Sequence, residues 1–343
     1  MPTVSILFPV YNAINDIQRA MRSLLNQTYQ DFEIITIDDG STDGSGELLN
    51  EFANTDPRVR VFHQPNAGAL GKVLNRAAEL AEGRYLARQD ADDASAPNRL
   101  AGQVHYLDTH PQAGMCGTWN WQIDSQLGPL FSSQLPDDNS LFLDFIKKGM
   151  NPFIHGSVMM LSDLFQKTGG YRGSLVEDFD LWLRMSEISR LGIYEELGYY
   201  YWHSSGGISS GAHIRQQKLV KLALKLHDER IRFGQEVTRW EYEYQQILNM
   251  HIAEASPDER KTSSHYARSI HLMRLRRWEA ARAQLSEAAA GQGQYAQKAR
   301  RNLAFFRLAP LVGAIYRLIE TQELQRYAKT IAPGTSLPEF LHK

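Results

Sequence analysis

Residues 84–93 read Arg84-Tyr85-Leu86-Ala87-Arg88-Gln89-Asp90-Ala91-Asp92-Asp93. The apolar-rich first half predicts a strand. The second half puts three carboxylates within four positions at the C-terminal end of that strand. Like charges so close repel one another unless a cation neutralises them. A hard divalent ion with oxygen ligands, whose other partner is a phosphate, is the simplest stable occupant. Alternate side chains of an extended chain share a face, so Asp90 and Asp92 can aim oxygens at one ion. The same residues also read as a solvated acidic turn capping a helix that begins near Pro97.

Working outward from this stretch, strand and helix patterns alternate. VSILFPV (4–10), FEIITI (32–37), VRVF (59–62) and RYLAR (84–88) are the strands. Between them, apolar residues recur at helical spacing: Ile17, Ala20, Met21, Leu24 and Leu25, then Leu48, Leu49 and Phe52, then Val73, Leu74, Ala77, Ala78 and Ala81. Strands separated by helices of this length imply right-handed crossovers and a parallel sheet. Polar or Gly-rich stretches follow the four strands: YNA, DDGSTDG, HQPNAG and QDADD. Ligands of open α/β sheets bind at the carboxyl ends of the strands, so these segments should converge on one crevice. Residues 113–205 are mixed, with strands at AGMCGTWNWQI, GSVMML and GIYEELGYYYWH (one strand or a pair) and a helix at EDFDLWLRMSEISRL. After His213 the chain reads as helical almost to its end. Ser256-Pro257-Asp258-Glu259 is a helix start, and HLMRLRRWEAARAQLSEAAA reads as a helical hairpin.

The 343 residues suffice for two domains. The expected division is 1–212, with a nucleotide-binding half over 1–110 and a catalytic half over 111–212, followed by a helical domain over 213–343. One cysteine, Cys116, excludes an internal disulfide framework and fits a reducing cytoplasm. The N-terminus reads as a strand, not a signal peptide, and no apolar run approaches the ~18 residues that span a bilayer. Residues 265–307 contain nine Lys/Arg against Glu279 and Glu287, a charge of +7, so the rest carries −9 within a total of −2. A basic tail on an acidic body suggests an anionic partner.

Three further groups carry chemistry. Asp38-Asp39-Gly40-Ser41 can accept hydrogen bonds from a base N–H or ribose hydroxyls, or can simply be the turn a βα unit needs. Glu177-Asp178 heads an amphipathic helix. The helix dipole favours acids there, and Asp178 is also a candidate general base. The dipole keeps it ionised but lowers its proton affinity, whereas efficient bases have raised pKa values. His203 is a candidate metal ligand or phosphate contact, or a histidine closing a strand.

Taken together, PVYN (9–12), LLNQTYQDFEIITIDDGSTD (24–43), NAGALGKVLNRAAELAEGRYLARQDADD (66–93), PNRL (97–100) and EDFDLWLR (177–184) resemble the family 2 glycosyltransferases over residues 3–210. The resemblance implies an α/β GT-A fold, a Rossmann-like, mostly parallel sheet flanked by helices, here followed by an all-helical C-terminal region. It implies an inverting sugar transfer from a nucleotide diphosphate sugar, with Mn2+ or Mg2+ as cofactor. Pro9, Tyr11, Asn12 and Asp39, with Asp38 nearby, would surround the nucleotide. The loop from Asn66 through Gly68 to Lys72 would flank base and phosphates. Asp90 would make a ribose or metal-side contact, Ala91 would contact the donor, and Asp92 and His203 would serve the metal. Asp178 would be the base, with Glu177 beside it. Many members carry arginine where this chain has Tyr201, which leaves Arg215 as a substitute contact to the phosphates.

The resemblance favours a UDP-sugar donor and a glycan or lipid-linked acceptor, as in bacterial cell-surface polysaccharide assembly (lipopolysaccharide O-antigen included). Acceptor contacts are expected from aromatic-rich segments, Trp119 and His155 foremost. The mostly apolar segment LAFFRLAPLVGAIYRLI (303–319), with its basic surroundings, suits an anionic membrane interface. The expected location is cytoplasmic, peripheral on the inner face of the membrane. One rival is a sugar-1-phosphate nucleotidyltransferase, but the loop VYNAINDI lacks that class's glycine cluster. The other is a non-catalytic nucleotide- or nucleic-acid-binding module using the basic tail. No nucleic acid is expected, because the basic residues lie among apolar ones without a recognisable nucleic-acid fold.

Overall fold

The computed structural model describes residues 1–124, 128–173, 175–203, 213–250, 278–305, 328–331 and 335–341, with isolated positions between 261 and 272. The helix start expected at Ser256–Glu259 and residues 306–319 of the apolar segment lie outside the described residues.

The first half has the expected alternation. Strands β1 (Val4–Val10), β2 (Phe32–Asp38), β3 (Val59–His63) and β4 (Tyr85–Arg88) are linked by helices α1 (Ile17–Leu25), α2 (Ser45–Thr55) and α3 (Leu70–Leu80). The strands are parallel, with β1 between β2 and β4 and with β3 outside β2. Alternate residues of β1 and β2 enter different cores. Val4, Ile6, Phe8 and Ile34 meet Ile17, Met21 and Leu24 of α1, while Leu7, Ile35 and Ile37 meet Val73 and Leu74 of α3. A parallel sheet covered on both faces is apolar throughout its strands. The polar segments at the strand ends are therefore where the sheet itself offers a ligand polar contacts.

The second half adds β5 (Ala94–Ser95), α4 (Arg99–Thr109), β6 (Ala113–Asp124), β7 (Gly128–Ser133), α5 (Asn139–Lys147), a 3-10 turn (His155–Ser157), β8 (Met159–Leu161), α6 (Ser162–Lys167), α7 (Glu177–Ser186) and β9 (Arg190–His203). Here the sheet becomes mixed, because β8 lies antiparallel between β4 and β6, and β6 and β7 form an antiparallel pair. The segment GIYEELGYYYWH is part of one 14-residue strand, β9, running parallel to β6 with irregular register near Trp119. The far end of β9 pairs antiparallel with β5, Ala94 facing Tyr200. That pairing carries Tyr201, Trp202 and His203 back alongside the acidic loop.

The C-terminal region is helical, with α8 (His213–Phe233), α9 (Trp240–Asn249), α10 (Trp278–Ala290) and α11 (Gly293–Phe305). One short strand, β10 (Ala328–Thr330), pairs with β7. Leu219, Leu222 and Leu226 of α8 and Trp240 of α9 are buried in the same core as Phe179 and Trp182 of α7. Each such side chain contributes about 1.5–3 kcal/mol. A separate cluster joins Leu130 of β7 to Ala281, Leu285 and Ala288 of α10. No described helix is long and apolar enough to cross a membrane.

Under the acidic loop lies a buried guanidinium. Arg99, which is 1% exposed, donates to the Arg88 carbonyl (2.6 Å), the Val158 carbonyl (3.2 Å), Ser95 Oγ (2.8 Å) and the side-chain oxygens of Gln89 and Gln103. Burial depresses its pKa, to about 10. Five donors in a planar fork reach both sides of the site, which an ammonium cannot do. Replacing Arg99 by Met should lower unfolding stability by about 3 kcal/mol, because buried acceptors lose their partners. Urea titration would read this as a lower midpoint at unchanged slope, and Arg99→Lys should recover only part of the loss.

Candidate active site

The ends of β1, β2 and β3 build one loop cluster. Asn12 has φ of 48°, a left-handed conformation that asparagine tolerates. Its amide donates to Ser41 Oγ (3.0 Å), and its own Oδ1 accepts from the Thr42 amide (2.8 Å). PVYN is thereby latched to the DDGST turn. Asp38 is absorbed by that turn, accepting from the Ser41 amide (3.0 Å) and facing His63 Nδ1 (2.8 Å). Asp39 accepts from Gln64 Nε2 and from the Ala67 amide (2.9 Å), both through Oδ1. Gly40 needs to be glycine: φ is +79°, and a Cβ would lie 2.9 Å from the Asn66 nitrogen. Asn66 and Gly68 are exposed, with Asn66 Oδ1 accepting from the Gly68 amide (2.8 Å). Lys72 is exposed in the first turn of α3. Pro9 is buried in β1 opposite Ile37, and Tyr11, just beyond the strand, is 55% exposed. An exposed aromatic ring at a sheet rim is a surface on which a base can stack.

The three aspartates of the opening stretch divide their labour. Asp90 Oδ1 is ion-paired at 2.6 Å with Arg88, whose side chain is fully buried. Asp93 is also fully buried, and its Oδ1 accepts from the Trp202 amide (2.8 Å). Burial, then the charges of Asp90 and Asp92, raise the Asp93 pKa well above the usual carboxylate range. Asp92 alone has a partly exposed carboxylate that no other described residue hydrogen bonds, and burial, followed by the charge of Asp90, pushes its pKa up to about 6. The acids thus do not form one cage. Arg88 already neutralises Asp90, and the β5–β9 pairing turns Asp93 inward. Ala91, between them, is partly buried against the α1 side of the sheet. His203 ends β9, exposed, its ring edge-on to Tyr201 at 5.0 Å. Among the described residues, no group of three or more His, Cys, Asp or Glu side chains is assembled to hold a metal by itself.

Across the crevice, α7 presents Glu177 and Asp178. Asp178 accepts from Asn151 Nδ2 (2.6 Å) and from the Phe179 amide (2.7 Å). Burial nevertheless leaves its pKa raised, with the Phe179 and Asn151 hydrogen bonds pulling the other way and Asp90 adding to the rise. The competition between helix end and proton affinity is therefore decided by desolvation. Glu177 is raised too, first by burial and then by the Asp178 charge, and its Oε2 has no hydrogen-bond partner among the described residues. Just before them Leu175 has φ of 73°. A non-glycine residue there stores about 1–2 kcal/mol of strain.

His155 belongs to the same wall. Its Nε2 meets the Tyr171 hydroxyl (3.0 Å), and its ring packs on Tyr171 and Trp182. Burial, then the charge of Arg88, lowers its pKa well below the ordinary value, so the ring is neutral. Trp119 is held differently, its indole N–H donating to the Leu135 carbonyl (2.7 Å), with its ring against the core that contains Trp182. Arg215 donates to the Met250 carbonyl (3.3 Å), just past the end of α9.

Several residues of the site escaped the sequence reading. The sequence marks Arg88 only as part of a strand, although an arginine two positions before an aspartate shares its face. Arg19 lies over the Trp202 ring at 4.1 Å and donates to the Asp92 carbonyl (2.6 Å) and to Asp16 (2.7 Å). Asn151 and Tyr199 are also involved, the Tyr199 hydroxyl accepting from the Asp90 amide (3.2 Å). For these, long-range pairing is the cause, and nothing local in the chain signals it.

Comparison with known proteins agrees with this construction. Residues 5–169 match the profile of Glycosyl transferase family 2. EpsE of Bacillus subtilis (strain 168), provisionally named a glycosyltransferase, is 33% identical over 193 residues, 54% of this chain and 67% of EpsE. An uncharacterized glycosyltransferase of Haemophilus influenzae is 40% identical over 129 residues, 36% of this chain and 52% of that protein. The chain thus spans only about half to two thirds of the length of these relatives. Residues 1–349 of TarS from S. aureus, solved in complex with UDP-GlcNAc, superpose with a TM-score of 0.56 at 17% identity, covering 95% of this chain and 92% of that one. At that identity the likeness is one of fold. The alternating first half, the mixed sheet and these matches lead to one assignment: the chain belongs to glycosyl transferase family 2 and has the GT-A fold.

Proposed function

We propose that this protein transfers a sugar, with inversion, from a nucleotide diphosphate sugar to a hydroxyl of a glycan or lipid-linked acceptor. The observation that carries the reading is Asp178, a carboxylate of raised proton affinity fixed by Asn151 at the head of α7 and felt electrostatically by Asp90 of the acidic loop. A base must sit within reach of the donor site and hold a proton weakly enough to release it again. Asp178 takes the acceptor hydroxyl proton while the oxygen attacks the anomeric carbon from the face opposite the leaving group. That single displacement needs no enzyme nucleophile. Glu177, uncharged beside it, avoids a second repelling charge and serves as a hydrogen-bond donor.

For the donor, Tyr11 offers a stacking face, and Asp39, with Oδ2 left over by its two loop contacts, accepts from a pyrimidine N–H. Asn12 and Asp38 keep that loop in shape. Asn66, Gly68 and Lys72 bring backbone amides and a cation to the phosphates at the start of α3. Asp90 and Ala91 contact the ribose side, and His155 and Trp119 the acceptor side. TarS binds UDP-GlcNAc, which supports a UDP-sugar here. The chemistry also fits a divalent ion, Mn2+ or Mg2+, since such an ion takes one or two protein ligands and fills the rest with phosphate and water. Asp92, the one unengaged acid of the loop, and His203 would hold it. When bound, the ion offsets charge on the departing diphosphate as a Lewis acid. We place the protein at the cytoplasmic face of the membrane, its basic and apolar tail against anionic lipid, in cell-surface polysaccharide assembly.

Asp178→Asn should keep the fold and the affinity for UDP but lower sugar transfer or donor hydrolysis by roughly 100- to 10,000-fold. In the wild type, kcat/KM should fall as pH drops, with a midpoint above the usual aspartate range because the folded-state pKa is raised. Unchanged turnover in Asp178→Asn would remove the base. Chelation with EDTA should abolish turnover, and Mn2+ or Mg2+ should restore it; Asp92→Asn should demand far more metal for the same rate. Removing residues 300–343 should reduce flotation with anionic liposomes, and equal flotation would sink the membrane contact.

A further inference from the structure

The loop that leads into α7 is unusual in shape. Gly169, Gly170, Gly173 and Leu175 all have positive φ. Such a loop holds one shape only when its surroundings impose it. One side is supplied by α3, where Asn75 Nδ2 donates to the Tyr171 carbonyl (2.9 Å) and Asn75 Oδ1 accepts from the Tyr171 amide (2.9 Å). A Cβ on Gly71 would come within 2.5 Å of the Gly173 carbonyl oxygen.

The other side comes from the C-terminal helices, beyond the residues that match the family profile. Arg172 grips Asp180 of α7 with two nitrogens (2.6 and 3.0 Å) and Glu236 of the α8–α9 turn with a third (2.8 and 3.0 Å). Its guanidinium lies over the Trp240 ring at 4.9 Å. Tyr244, stacked on Trp240, presses on Gly173, where a Cβ would lie 2.6 Å from its ring. Gln216 of α8 donates to the Leu175 carbonyl (3.3 Å). The far end of α7 is held as well, since Glu187 accepts from Arg230 (2.8 Å) and faces His227 (2.6 Å). Arg230 then closes the circuit on Glu236. Both ends of the helix bearing Asp178 are thus pinned to one helical hairpin.

We propose that the α8–α9 hairpin is a clamp on the base-bearing loop, and that Arg172, Glu236 and Trp240 are positioning residues that set the orientation of Asp178. The proposal rests on the reading of Asp178 as the base, but its structural half is independent of that reading. Two variants test it, Glu236→Gln and Trp240→Ala, with Trp240→Phe as the conservative partner.

Hydrogen exchange of the full-length protein should show residues 168–178 opening faster in Glu236→Gln and Trp240→Ala, while strands β1–β4 stay protected. Steady-state turnover of a UDP-sugar should show kcat reduced roughly 10- to 100-fold, the effect of slight misplacement of a reacting group. KM for the donor and binding of UDP should stay near wild type, and Trp240→Phe should restore kcat. Unchanged exchange in 168–178 overturns the clamp. So does wild-type kcat in both variants when Asp178→Asn is inactive. If Asp178→Asn retains turnover, the base reading fails, and the exchange data alone decide the clamp.

Discussion

The ion pair between buried Arg88 and Asp90 is the contact on which the site depends. Three aspartates at the end of one strand would repel one another in a partly buried crevice. A guanidinium with no solvent exposure, placed two residues earlier on the same face, cancels one of those charges. The others then take separate fates: Asp93 turns into the β9 pairing, and Asp92 stays partly exposed. A buried charge left without its partner costs several kcal/mol. Arg88 and Asp90 must therefore be kept together, and Arg99 beneath them keeps the Arg88 backbone in place.

The same cation organises the opposite wall. Arg88 helps hold His155 neutral, and its charge is felt by Tyr171 and Glu177. Desolvation raises the proton affinity of Glu177 and Asp178, while the hydrogen bonds from the Phe179 amide and Asn151 oppose the rise at Asp178. Acid loop and catalytic helix come from distant parts of the chain yet share one electrostatic environment. In such a place opposing small effects decide a protonation state. The helical region after β9 also enters this balance, because Arg172, which binds Asp180 two residues past Asp178, is also held by Glu236 of the α8–α9 turn.

The first half of the fold was legible because its signals are local. Buried parallel strands are continuous apolar runs, helices carry a 3.6-residue period, and the loops between them are polar. Asp38, Asp39, Asn66 and Asp90 fell at the rim, as the strand-helix alternation implied. The second half was harder to read. Nothing local says that β8 inserts antiparallel between β4 and β6, or that β9 runs beside β6 and then turns to β5. Those pairings brought Tyr199 and Trp202 to the acidic loop, and with them the inward fate of Asp93.

By itself the sequence determined the alternating sheet, the positions of its loops and the acids and aromatic side chains those loops carry, since each follows from residues within a few positions of one another. Only the tertiary structure decided that Asp93 is buried while Asp90 and Asp92 stay partly exposed, that Arg88 pairs with Asp90, and that α8 and α9 embrace the helix of Asp178. Apart from the local Arg88–Asp90 pair, these are contacts between residues tens to over a hundred positions apart. Charge and burial act through space, so chain order carries no record of them.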